Sequence, residues 1–303
     1  MTVDVAVVGA GINGLATAFH LARRLGGHRV ALLDRFAAGH ARGSSHGEER
    51  ITRSSYASAR WVADMQRCHR EGWPELEAAL GCTLVHRGPG AVFFGEPGGP
   101  LDDYVRAVEA VGADVVVLSP AAASAQFPSM RFDGCAEVLH DRTAGVVAAG
   151  AVYRGLGAWL SAAGVAVVRP ARVEALEPGV DRVRLVGTSV FARTVVVATG
   201  PWIRELAPGF PVRPVRQHVG YWRLPGAGPA TTPAWVHLGR EGLHYGLPTV
   251  AGGEMKAAFH AAGEGEGDNP GHPGDDHLPP SPADGARVAA VDAALRGWFG
   301  PVL

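Results

Sequence analysis

The first 34 residues constrain this chain more tightly than any other stretch. Residues 4–9, DVAVVG, are short and almost wholly apolar, the pattern of a parallel strand buried on both faces. They run straight into Gly9-Ala10-Gly11-Ile12-Asn13-Gly14, which opens a helix through residues 15–25. A second apolar strand, residues 29–33, ends at Asp34, twenty residues after Gly14. Gly9 permits the tight turn, Gly11 lets a pyrophosphate approach the backbone, and Gly14 lets helix and strand pack closely. The helix start at Ile12 and Asn13 offers unpaired N–H groups and a partial positive charge to phosphates. Asp34, with Arg35 beside it, is spaced to accept hydrogen bonds from a ribose. A lone GxGxxG is a weak signal, but with its strand, helix and acidic partner in place it predicts a dinucleotide site.

A chain of 303 residues can bury a real core in one large domain or two. Its hydrophobic share of 47% and net charge of −1 give no pull toward nucleic acid or anionic membrane. No apolar run is long enough for a membrane span, and the first residues are strand rather than signal peptide. Cys68, Cys82 and Cys135 are odd in number and lack CxxC spacing, which argues against disulfides or zinc and fits a reducing cytoplasm. Lys256 is the only lysine among the 28 Lys and Arg, so most arginines here reflect residue bias rather than function.

After Asp34 comes a polar, glycine-rich stretch, residues 39–47. Residues 57–80 show helical spacing, and Gly72-Trp73-Pro74 is expected to break them into two helices. Residues 91–94 and 114–118 read as strands and 101–111 as an amphipathic helix. A helix over 151–163, a strand over 165–168 and a short strand from Val173 follow. Residues 194–200, TVVVATG, are a second buried strand ending in a glycine turn, which returns the chain to the nucleotide-binding sheet. From Gln217 the pattern turns to period 2, over 220–224, 243–247 and 255–260, as expected of hairpin strands. Residues 262–285 read as a loop, in which His272 and His277 lack a fixed geometry for metal. A helix over 288–299 closes the chain. The fold expected is α/β, a Rossmann-like domain interleaved with an antiparallel-sheet α+β domain. The expected boundaries are 1–83 and 143–217 for the first, 84–142 and 218–303 for the second.

Two constellations carry chemistry. In Ser44-Ser45-His46-Gly47-Glu48-Glu49-Arg50-Ile51-Thr52-Arg53, the serines can donate to phosphate or ribose oxygens. On a helical turn, Arg50 and Arg53 would share a face and could hold a carboxylate or an anionic cofactor ring; a solvated basic surface is the plain alternative. Lys256 and His260 leave one face of a period-2 segment, opposite Met255, Ala257 and Phe259. An ammonium there could stabilise developing negative charge, or be a lysine that simply survived the bias.

These motifs, together with Thr199-Gly200-Pro201-Trp202, the stretch Pro214-Val-Arg-Gln-His218-Val-Gly220 and the pair Tyr245/Lys256, resemble the sarcosine oxidase, N-methyltryptophan oxidase and pipecolate oxidase group of FAD-dependent, D-amino-acid-oxidase-like enzymes. The resemblance runs in order over nearly the whole chain. It implies FAD, with the ribose on Asp34, the diphosphate on the Gly9–Gly14 turn, and the adenine edge on the Val173 backbone. Thr199, Gly200 and Trp202 would close around the cofactor. His46 and Arg50 match positions beside the flavin ring, and Arg53 a substrate-carboxylate arginine. Tyr245 matches an active-site tyrosine, Lys256 the lysine that activates oxygen, and His260 a pocket histidine. Glu49 departs from the Thr or Ser usual before the flavin-facing arginine, which leaves the substrate open.

The activity implied is oxidation of an N-methyl or cyclic secondary amino acid to an imine, with O2 reduced to H2O2 and with no metal. The family pattern continues beyond a helix like that of 288–299, with a cysteine that anchors the flavin and a return segment bearing a second cation. A truncated, inert homologue, or a nucleotide-binding subunit completed by a partner chain, is therefore a second reading. An NAD-dependent dehydrogenase is a third, and it explains neither the Ser44–Arg53 stretch nor Lys256.

Overall fold

The computed structural model describes residues 1–212, 214, 217–261 and 282–300. The chain starts with β1 (Thr2–Val8), α1 (Ile12–Leu25) and β2 (Val30–Leu33). It continues through β3 (Glu49–Thr52), α2 (Ala59–Arg67), α3 (Trp73–Leu80), β4 (Val85–His86) and β5 (Ala91–Gly95). Next come α4 (Leu101–Val111), β6 (Val115–Leu118), α5 (Pro120–Gln126), β7 (Val138–Asp141) and β8 (Gly145–Ala148). Then follow α6 (Ala149–Ala162), β9 (Ala166–Val168), β10 (Ala175–Pro178), β11 (Val183–Val186), β12 (Val190–Val197) and α7 (Ile203–Leu206). The last elements are β13 (Gly220–Arg223), β14 (Ala234–Gly239), β15 (Gly242–Pro248), β16 (Glu254–Ala261) and α8 (Pro282–Phe299).

The chain divides into two compact units. The first holds Met1–Gly47 and the described residues of Ala149–Val215. Its sheet has the order β10-β11-β12-β1-β2-β9. The strands β12, β1, β2 and β9 run parallel, and β10 and β11 extend them as an antiparallel edge. β1 and β2 are near-continuous runs of Val, Ala and Leu because both faces are covered. α1 presents Leu15, Ala18, Phe19 and Ala22 inward. Phe19 meets Trp159 of α6 edge-on at 4.6 Å.

The second unit holds Glu48–Ala148 and the described residues of Arg216–Asp268 and Leu278–Leu303. Its main sheet has the order β13-β16-β15-β14-β5-β7-β6, antiparallel except between β14 and β5. Alternation gives this sheet two different faces. One carries Val92, Phe94, Trp235, Met255 and Ala257 and is covered by Val291, Leu295 and Phe299 of α8. The other carries Phe93, Leu139, Val236 and Leu247, with Val62 of α2 and Leu101 and Val108 of α4. A small sheet, β3-β8-β4, completes the unit.

Four sequence expectations change. Residues 48–83 and 143–148 cluster with the second unit, because β3 and β4 pair with β8. Glu49–Thr52 is a strand, so Arg50 and Arg53 do not share a helical face. The backbone stays helical through Gly72 (φ −67°, ψ −48°), with a π turn at Cys68–Gly72 between α2 and α3. Pro74 there falls in the first turn of α3, where its missing N–H costs little. Val173 is buried in the core of the first unit but precedes β10 rather than starting a strand. His272, His277 and Arg216 lie outside the described residues.

Candidate active site

In the first unit, the end of β1 turns at Gly9 with φ +103°, a conformation L side chains rarely adopt. A Cβ on Gly14 would lie 1.7 Å from the Gly9 carbonyl oxygen, so helix and turn meet where no side chain fits. Asp34 is 8% exposed. Its carboxylate accepts from the N–H of Ala10 at 2.6 Å and of Phe36 at 2.8 Å, which ties the tip of β2 to the glycine turn. A carboxylate has about four lone-pair directions, so capacity for a ribose hydroxyl remains.

Ser45 reaches back to the same turn. Its Oγ accepts from the Ile12 N–H at 2.9 Å, and a Cβ on Gly11 would sit 3.1 Å from it. The serine hydroxyl keeps its proton to donate elsewhere. Ser44 is exposed, as are Ile12 and Asn13 at the start of α1. His46 is exposed too, with Nδ1 2.5 Å from the Gly43 carbonyl. Thr199 borders the glycine turn from the end of β12, its Cα 3.0 Å from where a Gly9 Cβ would be. Its Oγ1 is buried and has no hydrogen-bond partner among the described residues. Gly200, at φ +55°, starts the short turn that brings Trp202 into the unit. Trp202 packs against Phe36 at 5.4 Å with the Arg35 guanidinium over its ring at 5.6 Å. Arg35 also pairs with Glu205, so here it braces the wall. An extended diphosphate fits this group: a cradle without side chains, a buried carboxylate at a strand tip, and an unpaired threonine hydroxyl.

The second unit gathers the other predicted residues. Lys256 is only 6% exposed, on the sheet face that also carries Leu247, Tyr245 and Val236. Its Nζ donates to the Glu49 carbonyl oxygen at 3.2 Å. Arg50 Nη1 donates to that same oxygen at 2.7 Å, so two cations converge on one carbonyl. Burial, then the Arg50 charge, push the Lys256 ammonium below its ordinary range, and Glu49 partly offsets them. Burial raises the Tyr245 phenol, against the opposing pull of Arg50.

Arg53 lies just past β3, its guanidinium over Tyr56 at 4.5 Å and over Phe93 at 5.3 Å. Arg53 Nη1 is buried without a hydrogen-bond partner among the described residues, which leaves a fixed donor for an acceptor from outside. Its neighbours are pinned: Ser54 N, Ser55 N and Ser55 Oγ all donate to Asp141 Oδ2, at 2.7, 2.9 and 3.1 Å. His260 shares the Lys256 face but is exposed near the far end of β16, opposite Leu243. The structure does not bring it to the Lys256 cluster.

Of the two residues that organise this cluster, sequence reasoning flagged Glu49 only as a departure from the family pattern and missed Asp141. Glu49 supplies the shared carbonyl and a carboxylate that accepts from Val250 N at 3.3 Å. Asp141 gave no signal for its hold on Ser54 and Ser55, which lie 87 and 86 positions away.

A family model described as FAD dependent oxidoreductase matches residues 4–301. The chain belongs to that family. FAD is the cofactor of this oxidoreductase, and the glycine cradle of the first unit fits its dinucleotide half. The oxidoreductase is 32% identical over 269 residues to the peroxisomal sarcosine oxidase of Mus musculus, covering 85% of this chain and 68% of the mouse protein. It is 26% identical over 272 residues to a monomeric sarcosine oxidase of Bacillus sp. (strain B-0618), covering 86% and 69%. Among solved structures it is similar to the open form of NikD, an unusual amino acid oxidase essential for nikkomycin biosynthesis. That likeness has a TM-score of 0.79 at 23% identity and covers 99% of this chain and 78% of the other, a statement about fold alone. The oxidoreductase thus spans a little over two thirds of the curated relatives' length. No helix among the described residues is long and apolar enough to cross a membrane.

Proposed function

We propose that this oxidoreductase oxidises an N-methyl or cyclic secondary amino acid to its imine and passes the electrons to O2, giving H2O2. FAD, when bound, supplies the acceptor for the hydride that leaves a carbon next to the substrate nitrogen. Four side chains of this chain take the remaining roles. Arg53 offers to the substrate carboxylate a buried N–H that has no partner among the described residues. Tyr245 stays a neutral phenol at physiological pH, able to donate or accept a hydrogen bond. Arg50 and Lys256 present fixed positive charge where negative charge develops on oxygen, and the burial of Lys256 strengthens its effect. Lys256 has three N–H bonds, and the Glu49 carbonyl takes one.

The convergence of Arg50 and Lys256 on one carbonyl oxygen carries this reading. A sole lysine buried beside an arginine is unfavourable for folding, and the assignment gives it a use. The relatives named as sarcosine oxidases support the substrate class.

The experiment is anaerobic mixing of the yellow protein with sarcosine, N-methyltryptophan or pipecolate. The visible absorbance should bleach with at least one of them and return with air as H2O2 forms. Persistence of the colour with all three would sink the substrate class. In Lys256→Met the return of colour should slow by about a hundredfold, while bleaching changes little. Equal slowing of both steps would remove the role given to Lys256.

A further inference from the structure

We propose that Glu49 is the positioning residue of Lys256: its backbone carbonyl aims the ammonium, and its buried carboxylate keeps that ammonium charged against the neighbouring Arg50. The proposal deepens the reading above, because Lys256 serves oxygen chemistry only as a cation.

The geometry carries it. Glu49 is 5% exposed and opens β3, where pairing with Ala148 of β8 fixes its backbone. The carbonyl therefore cannot swing away from the two cations it receives. The side chain is held separately, by the Val250 N–H at 3.3 Å in the turn after β15. Glu49 thus gives Lys256 a carbonyl contact and carries, on the same residue, a buried carboxylate held from a second element.

The surroundings are unfavourable without it. Lys256 sits in β16 between Tyr221 of β13 and Leu247 of β15, its register partners on the two sides. The charged groups acting on it are Arg50 and Glu49 of β3. Tyr221 of β13 and Tyr245 of β15, the phenols on that face, are neutral, with burial pushing the ionisation of both up. Burial and Arg50 both favour loss of the ammonium proton, and Glu49 alone opposes them. Two positive charges with one negative among them can stay ionised in a half-dry site. Two positive charges without it repel, and lysine, unlike arginine, can escape by giving up its proton.

The chain offers a direct test, because Lys256 is its only lysine. Side-chain 13C-labelled lysine in the full-length FAD-loaded protein gives one signal, whose shift against pH reports this amine alone. In Glu49→Gln, which keeps an oxygen for Val250, the midpoint should fall by about one pH unit. In Glu49→Asp, which restores the charge, it should return toward the parent value. An unchanged midpoint in Glu49→Gln, or equal displacement in both variants, would overturn the proposal. The pH at which O2 stops restoring colour should follow the lysine midpoint in each variant. If the midpoint moves and oxygen reactivity ignores it, Glu49 still holds Lys256 charged, and the oxygen role of Lys256 is what fails.

Discussion

At the level of the residue, a single buried carboxylate fixes the segment that follows Arg53. Asp141 is fully buried and accepts six hydrogen bonds, three on each oxygen. Oδ2 takes the Ser54 and Ser55 donors, and Oδ1 takes Thr143 N at 3.1 Å, Thr143 Oγ1 at 2.7 Å and Ala144 N at 3.1 Å. Such a group is isolated from water yet satisfied, so its charge is tolerated. Asp141→Asn replaces one acceptor oxygen with an NH2 that faces donors, stranding about three of them. Each stranded buried donor costs roughly 1–3 kcal/mol, relieved in part by local movement. The variant should lose about 3 kcal/mol of stability by urea denaturation. Loss under about 0.5 kcal/mol would mean the network is not what holds the segment after β3. A variant that still folds should also bind substrate more weakly, because the backbone beside Arg53 is no longer fixed.

At the scale of elements, β14, β15 and β16 present two chemically different faces, and the one turned to α8 has its own pH sensitivity. Phe259, His244, His237 and Phe94 form a row across β16, β15, β14 and β5. Trp298 of α8 lies on that row, 4.7 Å from His237 and 5.3 Å from His244. Burial lowers both histidines, His244 to about 4, and His237 Nδ1 is buried without a partner among the described residues. Glu96 pulls His237 the other way, but it is shared with Arg240. Because the folded values lie below the unfolded one of about 6.5, the unfolded chain binds protons more tightly. Stability from this contact is therefore complete above about pH 6.5 and declines as pH falls toward 4. Denaturation midpoints at pH 7 and pH 5 should differ in the parent and differ less in His244→Phe; equal slopes would remove the pair as the cause.

The same elements show what could be read in advance. The glycine turn, Asp34 and the parallel return of β12 were legible, because each is written in a run of a few consecutive residues. Lys256 and His260 on one face of β16 followed from period 2 alone, whereas the pairing with β15 that adds Tyr245 to that face did not. β3 was not legible: residues 49–52, ERIT, alternate weakly and become a strand only because distant β8 pairs with them. Nor could spacing reveal that Lys256 would meet the carbonyl of a residue 207 positions away.

For the whole molecule, the two units divide the labour, and the thiols bear on how FAD is held. The dinucleotide cradle belongs to the first unit, whereas Cys68, Cys82 and Cys135 all belong to the second. A covalent flavin bond needs a thiolate, and burial raises the thiols of both Cys68 and Cys135. Cys135 also packs into the core on the α8 side of the main sheet, the face opposite Lys256 and Tyr245. Cys82 is exposed in the turn that ends α3, tied through its N–H to Glu77. None of the three stands with the Arg50, Arg53, Tyr245 and Lys256 group. FAD should accordingly be held without a covalent bond. Denaturing the yellow protein in acid should release all of the flavin into the soluble fraction and leave the chain at its unmodified mass. Added FAD should also raise the melting temperature in proportion to the logarithm of its excess over the dissociation constant, as for any ligand that binds only the folded chain. A chain carrying the mass of one FAD after denaturation would contradict the assignment, and peptide mapping would then name the thiol.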